Sequence, residues 1–501
     1  MELDPEVCQR AVAGKDARFD GVFYSAVVTT GIYCRPSCPA LPKPENLRFF
    51  PSAAAAQAAG FRACKRCRPD ATPGSPEWNS RGDVVARAMR LIADGVVDRE
   101  GVGGLSTRLG YSPRHLQRQL VEEVGAGPQA LARAQRAQTA RILLETTELP
   151  VTQIAFAAGF GSVRQFNDTV QAVFATSPSG LRRSKHGGDV PLPGVLALRL
   201  PFRKPFSGSA LVEFLAIRAI GGVEATDGTA IRRSLAMAHG PGVIELEPME
   251  DHVRTVLWLS DNRDLTTAVY RARRLFDLDS DPVAVDSALS LDRILAPLVA
   301  ERPGTRIPGC VDGAELAMRA VLGQQISLAG ARNLAAKLVR RYGKPLTSPL
   351  GGVTHLFPDA ETIAALNPAE LPMPHSRARA LVGLATALAD GGLVLDSGSD
   401  REEVERKLKQ LGGIGPWTSR YVSMRVLGDP DVLLSSDLGL RHALQNLGGP
   451  SDLGEIERMS LRWRPWRSYA TVLLWSAVSP NTSPRKSNLV KKSQNGKRRQ
   501  R

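Results

Sequence analysis

Four cysteines form two close pairs near the beginning of the chain. Three residues separate Cys34 from Cys38, two separate Cys64 from Cys67, and 25 residues lie between the pairs. Each pair can present two thiolates from one turn, and two such turns can enclose a zinc ion tetrahedrally. We therefore predict one Zn2+ bound by all four cysteines. The spacing by itself favours a purely structural zinc clip.

A single carboxylate, Asp437 in DVLLSSDLGLR, is the second candidate for chemistry. It follows a predicted helix-hairpin-helix, in which GGIG ends one amphipathic helix and a second helix starts near Trp417. An aspartate in such a loop usually caps a helix. Next to DNA, a carboxylate can also stabilise an oxocarbenium-like sugar or help to deprotonate water. The residues alone leave both roles open.

The hairpin is itself a candidate for DNA binding. Gly413 and Gly415 free the backbone to approach a phosphate closely, and the N–H groups at the start of the second helix favour an anion. We include Thr418, in the first turn of that helix, among the expected DNA-binding residues. A plain corner between two helices in a protein core is the alternative.

Residues 83–183 have apolar positions at helical spacing and predict an all-helical block. VGGLSTRLGYSPRHLQRQLVEEVG and VTQIAFAAGFGSVRQFNDTVQAVF each contain a short helix, a glycine-containing turn and a second helix. The second helices begin at Ser112 and Ser162, and Pro128 starts a long connecting helix. The side chains expected to contact DNA are Arg114, Arg118, Arg164, Gln165 and Asn167. A solvated helix face would use the same residue types.

Composition indicates a multidomain protein with a polyanionic partner. The chain has 501 residues, a net charge of +15 and a pI near 9.9. Eight basic residues lie in 482–501, and we expect this tail to be disordered, either as a solvated end or as a nonspecific DNA-binding arm. No apolar run approaches the roughly 20 residues that span a membrane.

The N-terminal segment MELDPEVCQR is acidic where a secretory signal would be basic and then apolar. We therefore expect a cytoplasmic, nucleoid-associated protein. In that reducing compartment, clustered cysteines favour a metal over disulfides. Cys8 and Cys310 stand outside the cluster, and we expect each to be a buried small residue.

TTGIYCRPSCPA and ENLRFFPSAAAAQAAGFRACKRCRPD resemble the N-terminal domain of the Ada methyl-phosphotriester repair proteins. The resemblance implies that Cys34 accepts a methyl group irreversibly from a methylated DNA phosphate while it remains a zinc ligand. Zinc keeps that sulfur a thiolate. Methylation removes one negative charge near the DNA, so the affinity of the protein for DNA should rise.

The helical block carries an AAGF turn and a final SPSGLRR, and it is similar to the AraC-type DNA-binding region. Beside an Ada-type domain, this resemblance implies a regulator of transcription. We expect promoter DNA and RNA polymerase as partners, in addition to double-stranded DNA with alkylation damage, and no membrane.

Four C-terminal stretches carry a third resemblance: RPGTRIPGCVDGAELAMRAVLGQQIS, LGGIGPWTSRYVSMRVLG, DVLLSSDLGLR and RWRPWRSYATVLLW. They look like the 3-methyladenine DNA glycosylases of the AlkA type. The resemblance implies that Asp437 is the catalytic carboxylate. It also implies that Trp417, Tyr421 and Trp475 are aromatic walls for a flipped base.

Three differences from related glycosylases matter. Trp417 occupies the position of the lysine of bifunctional relatives, so we expect no Schiff base and a monofunctional enzyme. The cysteine set that holds an iron-sulfur cluster in other members is also missing after the hairpin. Gln325 occupies the position of the apolar wedge that fills the gap left by the flipped base. Either Gln325 fills the gap by hydrogen bonding, or Ile326 intrudes instead.

We predict a multidomain, mainly α protein with a small four-cysteine zinc domain, an all-α double helix-turn-helix domain, and a glycosylase in which an α+β subdomain precedes helical helix-hairpin-helix subdomains. The expected boundaries are 1–76 for the zinc domain, 81–184 for the helix-turn-helix domain, 190–285 for the α+β subdomain, 286–480 for the catalytic region and 481–501 for the tail. The predicted function is excision of alkylated purines by a DNA glycosylase fused to a methyl-accepting sensor. The alternative is a transcription regulator whose C-terminal block binds DNA without catalysis.

Overall fold

The computed structural model describes residues 3–40, 42–69, 83–147, 149–183 and 195–478. The predicted linkers at 70–80 and 184–194 and the basic tail at 481–501 lie outside these residues. Within the described part of the chain, no helix is both long enough and apolar enough to cross a membrane.

The first block is a small sheet with two helices. Its elements are α1 (Pro5–Ala13), β1 (Tyr24–Val27), β2 (Ile32–Cys34), β3 (Leu47–Phe50), α2 (Ala53–Ala58) and β4 (Arg62–Ala63). The strand order is β3-β1-β2-β4, with β2 and β4 parallel and the other pairs antiparallel. Ser52 caps α2 by accepting a hydrogen bond from the Ala55 N–H. Its hydroxyl also donates to the Val124 carbonyl of the next block, so the cap joins the two blocks.

The second block is all helical, as predicted. Its helices are α3 (Val84–Ala93), α4 (Val96–Leu109), α5 (Pro113–Val124), α6 (Pro128–Thr146), α7 (Val151–Ala157), α8 (Val163–Phe174) and α9 (Pro178–Arg183). Ser112 and Ser162 cap α5 and α8 through their hydroxyl oxygens, and Pro128 is the first residue of α6. Gly101, with φ 70°, interrupts α4. The helix starts at Ser112, Ser162 and Pro128 confirm the expectation from the sequence.

The third block is an α+β unit. Its elements are β5 (Val195–Pro201), α10 (Gly208–Ala216), β6 (Glu224–Thr226), β7 (Ile231–Met237), β8 (Gly240–Pro248), β9 (His252–Leu259) and α11 (Leu265–Leu275). The sheet is antiparallel with the order β5-β9-β8-β7-β6. Both α10 and α11 pack against it. The face of β5 that carries Leu196, Leu198 and Leu200 is buried, and α6 of the helical block packs against this strand.

Helices dominate the remainder of the chain. They are α12 (Pro282–Leu289), α13 (Ala296–Glu301), α14 (Gly313–Leu322), α15 (Leu328–Tyr342), α16 (Ala360–Ala364), α17 (His375–Ala389), α18 (Arg401–Gln410), α19 (Pro416–Arg425), α20 (Leu438–Asn446), α21 (Leu453–Ser460) and α22 (Arg467–Ser476), and a hairpin of β10 (Pro345–Leu350) and β11 (Val353–His355) follows α15. Helices α18 and α19 are the predicted helix-hairpin-helix. Together the four blocks confirm the predicted fold class.

The blocks pack directly against one another. One apolar core runs through all of the first three and includes Tyr33, Phe50, Leu143, Phe166, Leu198 and Phe276. Polar contacts also join the blocks: the guanidinium of Arg203 donates to the carbonyl of Asp20. Arg90 of α3 is buried, and its Nε donates to the Ser397 carbonyl at 2.6 Å, in the loop before the helix-hairpin-helix. The sensor-like and glycosylase-like parts therefore share an interface.

Candidate functional site

Parallel pairing of β2 with β4 brings the two cysteine pairs together. Tyr33 lies beside Ala63 across these strands, and the Cys64 N–H donates to the Tyr33 carbonyl at 3.0 Å. Cys34 ends β2 and Cys64 directly follows β4, so the pairs meet at one end of the sheet. The ligand atoms of Cys34, Cys38, Cys64 and Cys67 all lie within 4.8 Å of one another. This spacing suits tetrahedral coordination by four thiolates.

The thiol chemistry of the cluster also fits a cation. The neighbouring sulfurs of Cys38 and Cys67, followed by burial, raise the pKa of the Cys34 thiol well above its ordinary value. A divalent ion among the sulfurs reverses this effect, because it favours the thiolate form. The four side chains are therefore a suitable donor set for Zn2+.

Polar contacts hold the first cysteine loop in place. The Asp20 carboxylate accepts hydrogen bonds from the backbone N–H and the hydroxyl of Ser37, at 3.0 and 2.6 Å, and lies 3.4 Å from the Arg35 guanidinium. Lys65 and Arg66, between the second pair of cysteines, are exposed. Cys34 is 6% exposed, whereas Cys64 is only partly buried. Basic side chains thus face solvent beside a cluster whose most exposed member is Cys64.

The side chains predicted to contact DNA in the helix-turn-helix block are all exposed: Arg114 and Arg118 on α5, and Arg164, Gln165 and Asn167 on α8. The opposite faces of the two helices are buried through Leu116 and Phe166. Helix α8 also packs against β4, the strand that leads to Cys64. The second of the two helices is therefore in direct contact with the cysteine block.

The two glycines of the hairpin have different roles. Gly413 has φ 84°, and a Cβ at this position would lie 2.6 Å from the Ala380 Cβ, so both conformation and space require glycine. Gly415 has φ −88°, which any residue adopts, and a Cβ there would meet nothing within 4 Å. Within the described residues, no side chain caps α19. Its first N–H groups therefore remain available to an anion.

The side chain of Thr418, one of the predicted DNA-binding residues, lies inside the protein. It is only 3% exposed, because α19 packs against α14 at this position. Its hydroxyl accepts a hydrogen bond from the amide of Gln324 at 3.0 Å, and the same amide donates to the Gly413 carbonyl at 3.1 Å. Thr418 therefore braces the hairpin from inside. Gln324, which the sequence did not single out, ties the hairpin to the turn that carries Gln325.

The turn between α14 and α15 contains both candidate wedge residues. Gln325 is exposed and has φ 56°, a conformation that is uncommon outside glycine. Ile326 is 38% exposed and lines a cavity of about 140 Å3 together with Trp417 and Tyr421. The two residues thus lie differently, with Ile326 against the cavity and Gln325 in the left-handed turn beside it.

Three N–H donors from three parts of the chain converge on Asp437. One carboxylate oxygen accepts from the Leu440 N–H at 2.9 Å, which makes Asp437 the N-cap of α20, and from the Trp475 indole at 2.9 Å. The other oxygen accepts from the Trp417 indole at 3.0 Å. The two roles that the sequence left open, helix cap and site carboxylate, are therefore compatible in one side chain.

Aromatic rings surround this carboxylate. Trp417 and Tyr421 are stacked at 5.0 Å and 13°, and the Tyr421 and Trp475 rings lie 6.4 Å apart. Phe214, from the α+β block, stacks on Trp475 at 5.9 Å and 22°. The sequence did not predict Phe214, because it lies about two hundred residues before the hairpin and carries no motif of its own. Only the packing of α10 against the helical region brings it here.

Arginines lie behind the aromatic rings. Arg425 donates to the Tyr421 hydroxyl at 2.5 Å. Burial raises the pKa of Tyr421, but the charges of Arg425 and Arg218 outweigh burial and lower that pKa below its ordinary value. Arg319 is held by Glu224 and Glu315, both at its Nη1, at 2.9 and 2.8 Å. The cavity therefore has aromatic and cationic walls.

Four regions of the chain match known domain families. Residues 7–70 match the metal binding domain of Ada, 105–184 a helix-turn-helix domain, 197–312 the AlkA N-terminal domain, and 318–468 the HhH-GPD superfamily of base excision DNA repair proteins. The Ada match and the clustered cysteines together confirm the predicted cofactor, one Zn2+ bound by four cysteines.

Similarity to individual proteins covers nearly the whole chain. The probable bifunctional transcriptional activator/DNA repair enzyme AlkA of Mycobacterium tuberculosis is 52% identical over 482 residues, which are 95% of this chain and 97% of the relative. DNA-3-methyladenine glycosylase 2 of Escherichia coli is 35% identical to this chain, and the match covers 55% of this chain and 95% of the relative. The 3-methyladenine DNA-glycosylase of Archaeoglobus fulgidus, a solved structure, matches 56% of this chain and 97% of its own with a TM-score of 0.50 at 20% identity, which shows a shared fold.

Proposed function

This chain belongs to the family of bifunctional transcriptional activator/DNA repair enzymes that join Ada-type and AlkA-type domains, and we propose that it repairs alkylated DNA by two separate chemistries. The glycosylase part hydrolyses the N-glycosidic bond of alkylated purines such as 3-methyladenine. The zinc domain accepts methyl groups from methylated phosphates. Double-stranded DNA is the partner of both.

The position of Asp437 is the observation that carries the glycosylase proposal. Its carboxylate is held by a helix N-terminus and two indoles, all of which donate to it. When the glycosidic bond breaks, its electron pair moves to the cationic base, which leaves neutral, and positive charge develops on the sugar. The carboxylate stabilises that charge and orients the water that adds to the sugar carbon and loses a proton.

The pocket walls suit a cationic, electron-poor base. Trp417 and Tyr421 offer stacked aromatic faces beside the carboxylate, and such faces attract a positive ring through stacking and cation–π interactions. Among the described residues that line the cavity there is no lysine, and Trp417 occupies the place of the Schiff-base lysine. We therefore assign a monofunctional activity, without strand cleavage.

We assign methyl acceptance to Cys34. Its sulfur attacks the methyl carbon of a phosphotriester, so an S–C bond forms, an O–C bond breaks and a phosphodiester anion leaves. Bound zinc keeps the sulfur a thiolate at neutral pH. Conversion of thiolate to thioether removes one negative charge from the cluster. The exposed Lys65 and Arg66 then attract the DNA backbone with less repulsion from the negative charge of the cluster.

The helix-turn-helix block is the proposed reader of promoter DNA. Its exposed arginines and amides suit base edges and phosphates, and α8 touches the strand that leads to Cys64. A gain in DNA affinity at the zinc domain would therefore be shared by this block. RNA polymerase is the protein partner that a transcriptional activator requires.

The glycosylase proposal is tested by Asp437→Asn, which keeps the side-chain shape and an oxygen for the Leu440 N–H. We expect release of 3-methyladenine from methylated DNA to fall by at least about 100-fold, because the charge that stabilises the sugar is lost. Asp452→Asn is the matched control, since Asp452 caps α21 in the same way but, among the described residues, accepts no hydrogen bond from an indole. Undiminished release by Asp437→Asn contradicts the assignment.

The methyl-acceptor proposal is tested by mass spectrometry of the intact protein after incubation with DNA that contains methylphosphotriesters. We expect a gain of one methyl group, located by peptide mapping on Cys34. Mapping to Cys64, the more exposed cysteine, would reassign the acceptor. Cys34→Ala should abolish the gain, with zinc content measured in parallel, and Cys8→Ala should leave it intact.

A further inference from the structure

The helix-turn-helix block holds one loop of the glycosylase part, residues 396–400. Two arginines of α3 reach this loop: the Nε of Arg90 donates to the Ser397 carbonyl and the Nε of Arg87 donates to the Gly398 carbonyl, each at 2.6 Å. Burial lowers the pKa of Arg90 to about 10, which leaves its guanidinium protonated at neutral pH. Ser397 and Gly398 are buried, so their carbonyls would lose these hydrogen bonds where little water can replace them. This cost favours the docked position of α3.

Packing and a charge pair extend the same contact. A Cβ at Gly398 would lie 2.4 Å from the Cγ of Leu91, so α3 and the loop touch without a gap. Near the end of α4, the Nη1 of Arg108 lies 2.9 Å from the Asp396 carboxylate. The side chains that hold the loop are called the docking cluster: Arg87, Arg90, Leu91 and Arg108.

The loop determines where α18, the first helix of the helix-hairpin-helix, begins. Asp400 caps α18 by accepting a hydrogen bond from the Glu403 N–H at 3.0 Å. The carboxylate of Asp400 also lies 3.5 Å from the Nη1 of Arg87. Val404 and Leu408 of α18 are buried in one core with residues of α19. A displaced loop would therefore tilt α18 and distort the hairpin turn that follows it.

Helix α19 is supported from another side. The amide of Gln324 donates to the Thr418 hydroxyl at 3.0 Å, and α19 also packs against α14. Trp417, which donates to Asp437, belongs to this supported helix. Loss of the docking cluster should therefore disturb the turn that meets DNA more than the residues that surround the carboxylate.

We propose that the helix-turn-helix block positions the hairpin on damaged DNA through the docking cluster, in addition to its proposed role as the reader of promoter DNA. This inference rests on the proposed glycosylase function. The members of the cluster are positioning residues, because they act through the loop and α18 and not on the reacting atoms. Their loss weakens the binding of damaged DNA and leaves the chemical step intact.

The contact between Gly398 and Leu91 allows a test that can be reversed. The φ of Gly398 lies outside the left-handed region, so the backbone accepts alanine, but the added methyl group overlaps the Leu91 side chain and displaces α3. Release of 3-methyladenine from methylated DNA is followed under single-turnover conditions with the full-length protein. For Gly398→Ala we expect the protein concentration that gives half the maximal rate to rise by about 10-fold, the effect of losing hydrogen bonds to two buried carbonyls. The maximal rate should change by less than about twofold.

A second substitution restores the space. Leu91→Ala in the Gly398→Ala protein removes the overlap and should return the half-maximal concentration to within about threefold of the wild-type value. Gly383→Ala is the matched control, since it adds a methyl group to α17 where a Cβ would meet no described side chain within 4 Å. It should leave both the half-maximal concentration and the maximal rate unchanged.

Three results overturn the proposal: an unchanged half-maximal concentration in Gly398→Ala, an equal loss in the maximal rate, or a defect that Leu91→Ala does not reverse. A general loss of structure would lower the maximal rate as well, and it would not be relieved by a smaller residue at position 91. If Gly398→Ala does not fold, Arg87→Met is judged by the first two criteria, because it removes the donor to Gly398 and the partner of Asp400.

The wild-type protein separates this inference from the function on which it rests. Absence of 3-methyladenine release by the wild type overturns the glycosylase assignment and, with it, the positioning role. Release by the wild type, with the same half-maximal concentration in Gly398→Ala, overturns the positioning role alone.

Discussion

The cysteine cluster and the carboxylate site are built in different ways. All four cysteines lie between residues 34 and 67, and one parallel strand pair brings them together. The carboxylate site instead combines Phe214 of α10, Trp417 of α19, Asp437 at the start of α20 and Trp475 of α22. The first site depends on local geometry and a metal, whereas the second depends on the packing of two subdomains. Each should therefore fail under different perturbations.

The largest contrast is expected on metal removal. Chelation of Zn2+ should abolish methyl acceptance, because the sulfurs lose the charge that keeps them thiolates and the loops lose their common ligand. Base excision should fall by less than about threefold, since the Asp437 donors all belong to the glycosylase. Both activities are measured on one preparation before and after chelation. Restored acceptance after addition of zinc is the control, and a parallel loss of excision would show that the shared core makes the two sites interdependent.

A smaller effect, on the stability of the part of the protein that contains the carboxylate site, is expected from a change in pH. Asp277 is partly buried, and its carboxylate accepts a hydrogen bond at 2.8 Å from Tyr469, which lies on the helix that carries Trp475. Burial raises the pKa of Asp277 to about 6, against the opposing charge of Arg306. Between about pH 4 and pH 6 the folded protein therefore holds a proton that the unfolded chain has released. This contribution to stability is complete below about pH 4 and is lost as pH rises through 6.

The size of this pH effect follows from a shift of about two pKa units, or about 3 kcal/mol of unfolding free energy. Tryptophan fluorescence reports on the unfolding of the glycosylase part, since five of the six tryptophans lie between residues 258 and 475. Asp277→Asn keeps an acceptor for Tyr469 and should flatten the dependence between pH 4 and 7. Identical pH profiles for wild type and variant would rule out Asp277 as the cause.

The smallest effect is expected when one of the hydrogen bonds to the Asp437 carboxylate is removed. Trp475→Phe keeps an aromatic ring but removes the N–H that donates to Asp437. We expect kcat for 3-methyladenine release to fall by about 10-fold, the effect of one hydrogen bond to a charged group, while methyl acceptance is unchanged. Trp466→Phe is the matched control, because that ring packs edge-on against Tyr469. A loss of methyl acceptance in Trp475→Phe would contradict the independence of the two sites.

Much of the fold followed from short-range signals. Ser112, Ser162 and Pro128 predicted three helix starts correctly, because capping and the geometry of proline act over three or four residues. Residues whose surroundings are set by packing were predicted less well. Nothing in the sequence indicated that the side chain of Thr418, one of the expected DNA-binding residues, is covered by α14. Phe214 and Gln324 were missed for the same reason, because each gains its contacts from an element distant in sequence.

The sequence by itself determined the four clustered cysteines, the order of the domains and Asp437 as the candidate carboxylate after the hairpin, since ligand spacing, helix breaks and family motifs are readable along the chain. Only the tertiary structure decided that the cap of α20 and two indoles converge on Asp437, and that Phe214 stacks on one of these indoles. The physical reason is range. Caps, turns and cysteine pairs are fixed by neighbouring residues, whereas a pocket between subdomains is fixed by how their apolar cores pack.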